Sequence, residues 1–157
     1  MKRLLTVLAA SAVIAGSAIA AAAQSDNEGY YITTTDASFE DTMAALNDAV
    51  INRGLVIDYT GQVGEMLART ADAVDMETPY LNANYLHFCS AKYTHGVVAA
   101  NPENIAVCPY IVFAYELKAE PGSIHVGYRK PIGAPGSKSA LGEVDSLLRE
   151  IVNEAAE

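Results

Sequence analysis

The sequence is poor in basic side chains and has no tryptophan. Ten lysines and arginines stand against nineteen aspartates and glutamates, so the formal net charge is −9 at pH 7. Such a surface repels phosphate backbones and anionic lipid head groups. This balance argues against nucleic acids and membrane surfaces as partners. We expect the partner to be a small molecule or an envelope protein, and the protein itself to be a monomer or a homodimer.

Common catalytic motifs are also missing. The chain contains no G-x-S-x-G, no Walker loop, no dinucleotide fingerprint, no H-E-x-x-H and no C-x-x-C. Hydrolase, phosphate-binding and metalloprotease chemistry, and covalent haem attachment, therefore have no motif to support them. We expect a non-catalytic binding or accessory protein without a cofactor.

The only long apolar run lies at the N-terminus. Two basic residues precede the run, which covers residues 4–19, and three alanines ending at Ala23 follow it. This arrangement is typical of a secretory signal peptide. We predict a signal peptide over residues 1–23 and one mature domain over residues 24–157, located in the periplasm or secreted.

The periodicity of apolar residues predicts the element order β-α-β-α-β-α-β-β-α, with residues 24–29 as a loose terminus and 75–82 as a loop. This order is typical of an α+β fold, with a mixed or mainly antiparallel sheet and helices packed on it. The predicted elements are strand 30–35, a helix between 38 and 54, strand 55–59, helix 63–74, strand 84–89, a short helix between 90 and 101, strands 110–117 and 124–128, and helix 139–153.

The chain has two cysteines, Cys89 and Cys108. Thiols exported to an oxidising compartment tend to pair. A disulfide closing a loop of this length stabilises a fold by about 3 kcal/mol if its geometry is unstrained. A Cys89–Cys108 disulfide is therefore the first expectation.

A metal or redox site is the alternative use of these cysteines. Strand alternation puts His87 and Cys89 on one face, and the hypothesis requires His95 and Cys108 to lie nearby in space. Sulfur and imidazole ligands suit copper or zinc, and haem is a further possibility. A thiol-redox role using Cys89, Cys108 and His87 also stays open, although the usual C-x-x-C spacing is absent.

Tyrosine is abundant, with nine residues in the chain. Four of them, Tyr85, Tyr93, Tyr110 and Tyr128, are candidates to line a ligand cavity near the cysteines. The competing interpretation is that they are ordinary sheet residues, since tyrosine is common in strands.

Three stretches carry a family resemblance: the amphipathic first helix followed by Gly54-Leu55-Val56-Ile57, the strand from Tyr85 to Cys89 with its short helix, and the hairpin from Pro109 to Pro131. In these stretches the chain resembles the family of the domain of unknown function DUF302. The resemblance covers residues 31–152. It implies a compact α+β domain and brings no established activity or cofactor. Both cysteines stand where the chain departs from the family pattern, which suggests that they are used together.

Overall fold

The structure is a computed structural model in which residues 24–157 are described, so the predicted signal peptide lies outside the described residues. None of the helices described is long and apolar enough to cross a membrane. The elements are β1 (Ser25–Asp26), β2 (Tyr30–Thr35), α1 (Phe39–Ile51), β3 (Val56–Gly61), α2 (Val63–Val74), β4 (Tyr80–Cys89), α3 (Ala91–Ala100), a 3-10 helix (Pro102–Val107), β5 (Tyr110–Leu117), β6 (Ile124–Arg129) and α4 (Lys138–Ala155).

The strands form one sheet in the order β1-β2-β6-β5-β4-β3, and every neighbouring pair is antiparallel. The predicted α+β class is therefore confirmed. Two predictions of irregular structure, over residues 24–29 and 75–82, were wrong. The stretch expected to be a loose terminus contains β1, which pairs Ser25 with Ile32. The stretch expected to be a loop contributes the start of β4, where Tyr80 pairs with Leu117.

The first helix begins where its sequence predicts. The hydroxyl of Ser38 accepts a hydrogen bond from the backbone N–H of Asp41 at 3.1 Å, which satisfies one of the free donors of the first turn. Gly54 has a left-handed φ of 72° and lies two residues beyond the cap residue Asn52. The helix therefore lies within the predicted limits of residues 38 and 54.

One face of the sheet is covered by helices. Alternate residues of the central strands, such as Phe88, Val112 and Val126, are fully buried against Leu46 of α1 and Leu148 of α4. Burying one such side chain contributes about 1.5–3 kcal/mol. This layer is the hydrophobic core, and it leaves the other face of the sheet without a layer of α1, α3 or α4 across it.

Helix α2 stands apart from this core. None of its residues is buried, although it packs against β4. Its first turn approaches the strand closely, since a Cβ at Gly64 would lie 2.8 Å from the backbone nitrogen of Ala83. The start of α2 therefore stands beside the uncovered face of the sheet.

Candidate functional site

The uncovered side of the sheet, which we name the open face, carries an aromatic surface. Its central row crosses five strands, because Ile32 pairs with Gly127, Gly127 with Phe113, Phe113 with Tyr85, and Tyr85 with Gly61. Cross-strand partners point to the same face of a sheet. Tyr85 and Phe113 are therefore direct neighbours in the middle of the open face.

The two rings of this row lean toward opposite neighbouring strands. A Cβ at Gly61 would overlap with the ring of Tyr85, and a Cβ at Gly127 would lie 2.8 Å from Cζ of Phe113. Each ring therefore occupies the space that a glycine leaves on the next strand. Because the rings lean apart, the surface between β4 and β5 is open.

This space is a groove of about 520 Å³, which we name the aromatic groove. Ligand sites of small molecules have volumes of roughly 300–1,000 Å³ and are mostly apolar with a few polar groups. The lining fits this description, since Arg129 is its one charged side chain among the described residues. The lining residues are Gly29, Tyr30, Ile32, Val63, Tyr80, Ala83, Asn84, Tyr85, Ile111, Phe113, Ala114, Tyr115 and Arg129.

Ring contacts stiffen both sides of the groove. On one side, the ring of Tyr85 lies 4.8 Å from that of His87, which in turn lies 5.8 Å from Tyr59. On the other side, Tyr115 stacks on His125 at 4.6 Å and contacts Tyr80 at 5.4 Å. Aromatic pairs of this kind add about 0.5–1.5 kcal/mol beyond their burial. These contacts hold the rings that border the groove in place.

The hydroxyl of Tyr115 is held in its neutral form. Burial raises the pKa of this phenol, and the neighbouring Tyr80 and Tyr30 raise it further. A neutral phenol both donates and accepts hydrogen bonds. Tyr115 therefore provides the aromatic groove with a hydroxyl that can donate and accept hydrogen bonds at physiological pH.

Cys89 and Cys108 lie at disulfide distance, with their Cα atoms 5.8 Å apart. Cys89 ends β4 and Cys108 stands just before β5, so the pair ties the ends of two adjacent strands together. With their sulfur atoms placed as a bonded pair, neither residue carries a free thiol in this structure.

The four candidate metal ligands do not form one cluster. His87 lies on the open face against Tyr85, as alternation predicted, whereas His95 is exposed on α3. Among residues 24–157, no group of three or more His, Cys, Asp or Glu side chains is arranged to hold a metal ion. His87 therefore acts in this structure as part of the aromatic surface.

The four candidate tyrosines are also not brought together. Tyr85 lines the aromatic groove, and Tyr93 is half-buried on α3 against the core. Tyr110 and Tyr128 are 2% and 0% exposed and belong to the core on the helix side. The expectation of one tyrosine-lined cavity needs correction, because strand alternation turns Tyr110 and Tyr128 away from the open face.

These two buried tyrosines have structural partners. The hydroxyl of Tyr128 donates to Asp145 Oδ1 at 2.9 Å, and burial together with this bond raises the pKa of Tyr128. The hydroxyl of Tyr110 lies 3.4 Å from Oγ1 of Thr94, and burial raises its pKa. Both phenols stay protonated and fasten the sheet to the helices.

Several groove residues were not singled out from the sequence, among them Ile111, Phe113 and Arg129. Strand alternation along β5 puts Ile111, Phe113 and Tyr115 on one side. It does not say whether helices cover that side. The signal was present, but its meaning depended on the position of the helices.

Comparison with known proteins gives the family. The model of the domain of unknown function DUF302 matches residues 31–155. Among solved structures, the chain is similar to an uncharacterized conserved protein DUF302 from Bacillus stearothermophilus, with a TM-score of 0.67 at 15% identity, covering 82% of this chain and 99% of that one. No curated protein matches the chain. The chain therefore belongs to the DUF302 family.

Proposed function

We propose that this protein is a non-catalytic binding protein of the cell envelope that holds a flat, apolar small molecule in the aromatic groove. The observation that carries the proposal is the pair Tyr85 and Phe113, whose rings lean apart over Gly61 and Gly127 and leave a groove of about 520 Å³. Its size and apolar lining are those of a small-molecule site.

The surrounding chemistry supports binding over catalysis. A nucleophile or general base in a groove needs a partner that activates it. The groove lining contains no carboxylate, cysteine, serine or histidine among the described residues, and its polar groups are phenols, one amide and one guanidinium. Such groups orient a ligand by hydrogen bonds and by ring contact.

Location is part of the proposal. Export is supported by the apolar N-terminal run, and the cysteine pair at disulfide distance suits an oxidising compartment. We expect the intact mass of protein purified from the envelope fraction to correspond to residues 24–157 with two fewer hydrogens. A full-length chain in the cytosolic fraction would contradict export.

Binding is tested with the neutral fluorescent probe N-phenyl-1-naphthylamine, followed by fluorescence titration. Ile111 lines the groove, so Ile111→Ser removes apolar contact with the probe. We expect this variant to lower the affinity for the probe by about 1 kcal/mol, or roughly fivefold. The matched control is Ile105→Ser, since Ile105 is 64% exposed and is not part of the groove lining. The affinity of Ile105→Ser for the probe should stay at the wild-type value.

Two results would contradict the proposed site. The first is wild-type protein that does not bind the probe at all. The second is an equal loss of probe affinity in Ile111→Ser and Ile105→Ser, which would mean that the probe binds outside the groove. The melting temperature of each variant is measured in parallel, so that a loss of fold is separated from a loss of binding.

A further inference from the structure

We infer that the ligand of the aromatic groove is an organic acid, with a carboxylate or sulfonate on a flat apolar body, and that Arg129 binds the anionic group. This inference rests on the proposed function and names its class of ligand. It starts from the contrast between Arg129 and the rest of the lining, which is apolar or aromatic apart from Asn84.

Arg129 differs from the basic side chains near it. Lys130 and Arg149 both form ion pairs with Asp26. Arg129 forms no ion pair with a carboxylate among residues 24–157, although the chain has almost twice as many acidic as basic residues. Its positive charge at the groove is therefore not neutralised by a neighbouring acid.

The donors of Arg129 are mostly unused. Nη2 donates one hydrogen bond to the carbonyl oxygen of Pro109 at 3.1 Å, which anchors the side chain. A guanidinium has five N–H donors in a planar fork. The remaining donors can bind both oxygens of one carboxylate or sulfonate, a geometry that arginine offers and lysine does not.

The position of Arg129 determines how the ligand is oriented in the groove. Arg129 pairs with Tyr30 across β2 and β6, and the central row with Phe113 and Tyr85 lies beside this pair on the same face. An acid group at Arg129 leaves the apolar body over Phe113 and Tyr85. Arg129 is exposed at this end of the groove, so its free donors can be reached from solvent.

Two probes that differ by one anionic group test this. N-phenyl-1-naphthylamine and 8-anilino-1-naphthalenesulfonate share the same rings, and only the second carries a sulfonate. We expect wild-type protein to bind the sulfonate probe more tightly, by about threefold, because an exposed ion pair contributes up to about 1 kcal/mol. Arg129→Gln should abolish this preference, because the sulfonate probe should lose more affinity than the neutral probe.

The controls separate the local charge from the global charge and from damage to the fold. Arg69→Gln removes the same charge from an exposed position on α2, outside the groove lining, and should keep the preference. Arg129→Lys keeps the charge but loses the fork, so its preference should be intermediate. Melting temperatures are compared for all four proteins.

Each outcome has one meaning. If neither probe binds to wild-type protein, the proposed function itself fails. If both probes bind equally well to wild-type protein, or the preference survives in Arg129→Gln, the groove stands and the role of Arg129 is refuted. If Arg129→Gln weakens both probes equally, Arg129 only shapes the groove, and the organic-acid class is also refuted.

Discussion

Replacement of Gly127 by alanine tests the packing on which the aromatic groove depends. Gly127 lies in β6 between β2 and β5, and an added Cβ would collide with the backbone oxygen of Tyr31, besides lying 2.8 Å from both Cγ1 of Ile32 and Cζ of Phe113. Side-chain atoms can rotate away, but the carbonyl oxygen moves only if β2 moves. The substitution should therefore strain the sheet and displace Phe113.

The magnitude follows from two opposing effects. Inserting a methyl group into a well-packed site costs about 1–3 kcal/mol. Replacing glycine also removes conformational freedom from the unfolded chain, which returns about 0.4–1 kcal/mol. We expect Gly127→Ala to lower the free energy of unfolding by about 1–2 kcal/mol, measured by urea denaturation with circular dichroism. Its affinity for N-phenyl-1-naphthylamine should fall as well.

Gly142→Ala is the matched control. Gly142 is exposed within α4, and an added Cβ there would meet no atom within 4 Å. Alanine in an exposed helix is more favourable than glycine, so this variant should gain up to about 1 kcal/mol. The reasoning is refuted if Gly127→Ala is as stable as Gly142→Ala, or if it keeps wild-type probe affinity.

Three further predictions concern the cysteine pair, the N-terminal strand and a buried amide. The double variant Cys89→Ser/Cys108→Ser should lower the free energy of unfolding by about 3 kcal/mol in urea, because the open chain regains loop entropy; unchanged stability would contradict a disulfide. Hydrogen bonds and charges from two basic side chains lower the pKa of Asp26. Because the folded pKa lies below the ordinary value, this stabilisation is present above about pH 4 and is lost as pH falls through the folded pKa. In Asp26→Asn the melting temperature should therefore fall less steeply than in the wild type as the pH is lowered below pH 4. An unchanged slope would contradict the ion pairs. Asn104 is 1% exposed and bonds Val97, Ser137 and Ala134, so Asn104→Ala should cost about 3 kcal/mol in the same urea assay; a cost below about 1 kcal/mol would contradict these bonds.

Elements with local signals were predictable from the sequence. The hydroxyl of Ser38 marks the start of α1 through its bond to Asp41, and Gly122, with a φ of 87°, supplies the left-handed residue in the turn between β5 and β6. Elements that depend on distant partners were not predictable. Tyr80 becomes a strand residue because it pairs with Leu117, 37 residues further along the chain.

The candidate site shows the same division. Strand alternation puts Tyr85 and His87 on one face of β4, where their rings are in contact. Both faces of β5 carry large apolar side chains, however, so hydrophobicity alone does not choose the face that the helices cover. Tyr110 was therefore grouped with Tyr85, although the structure puts it on the other side of the sheet.

The open face offers a consequence for engineering. Positions that line the aromatic groove and positions of the hydrophobic core alternate along the same strands, so they can be varied separately. A combinatorial library at Tyr85, Phe113 and Tyr115 changes the shape and chemistry of the groove, while Leu86 and Val112 keep the helices in place. The domain is thus suited as a scaffold for selecting new small-molecule binders, with the core left at its natural sequence.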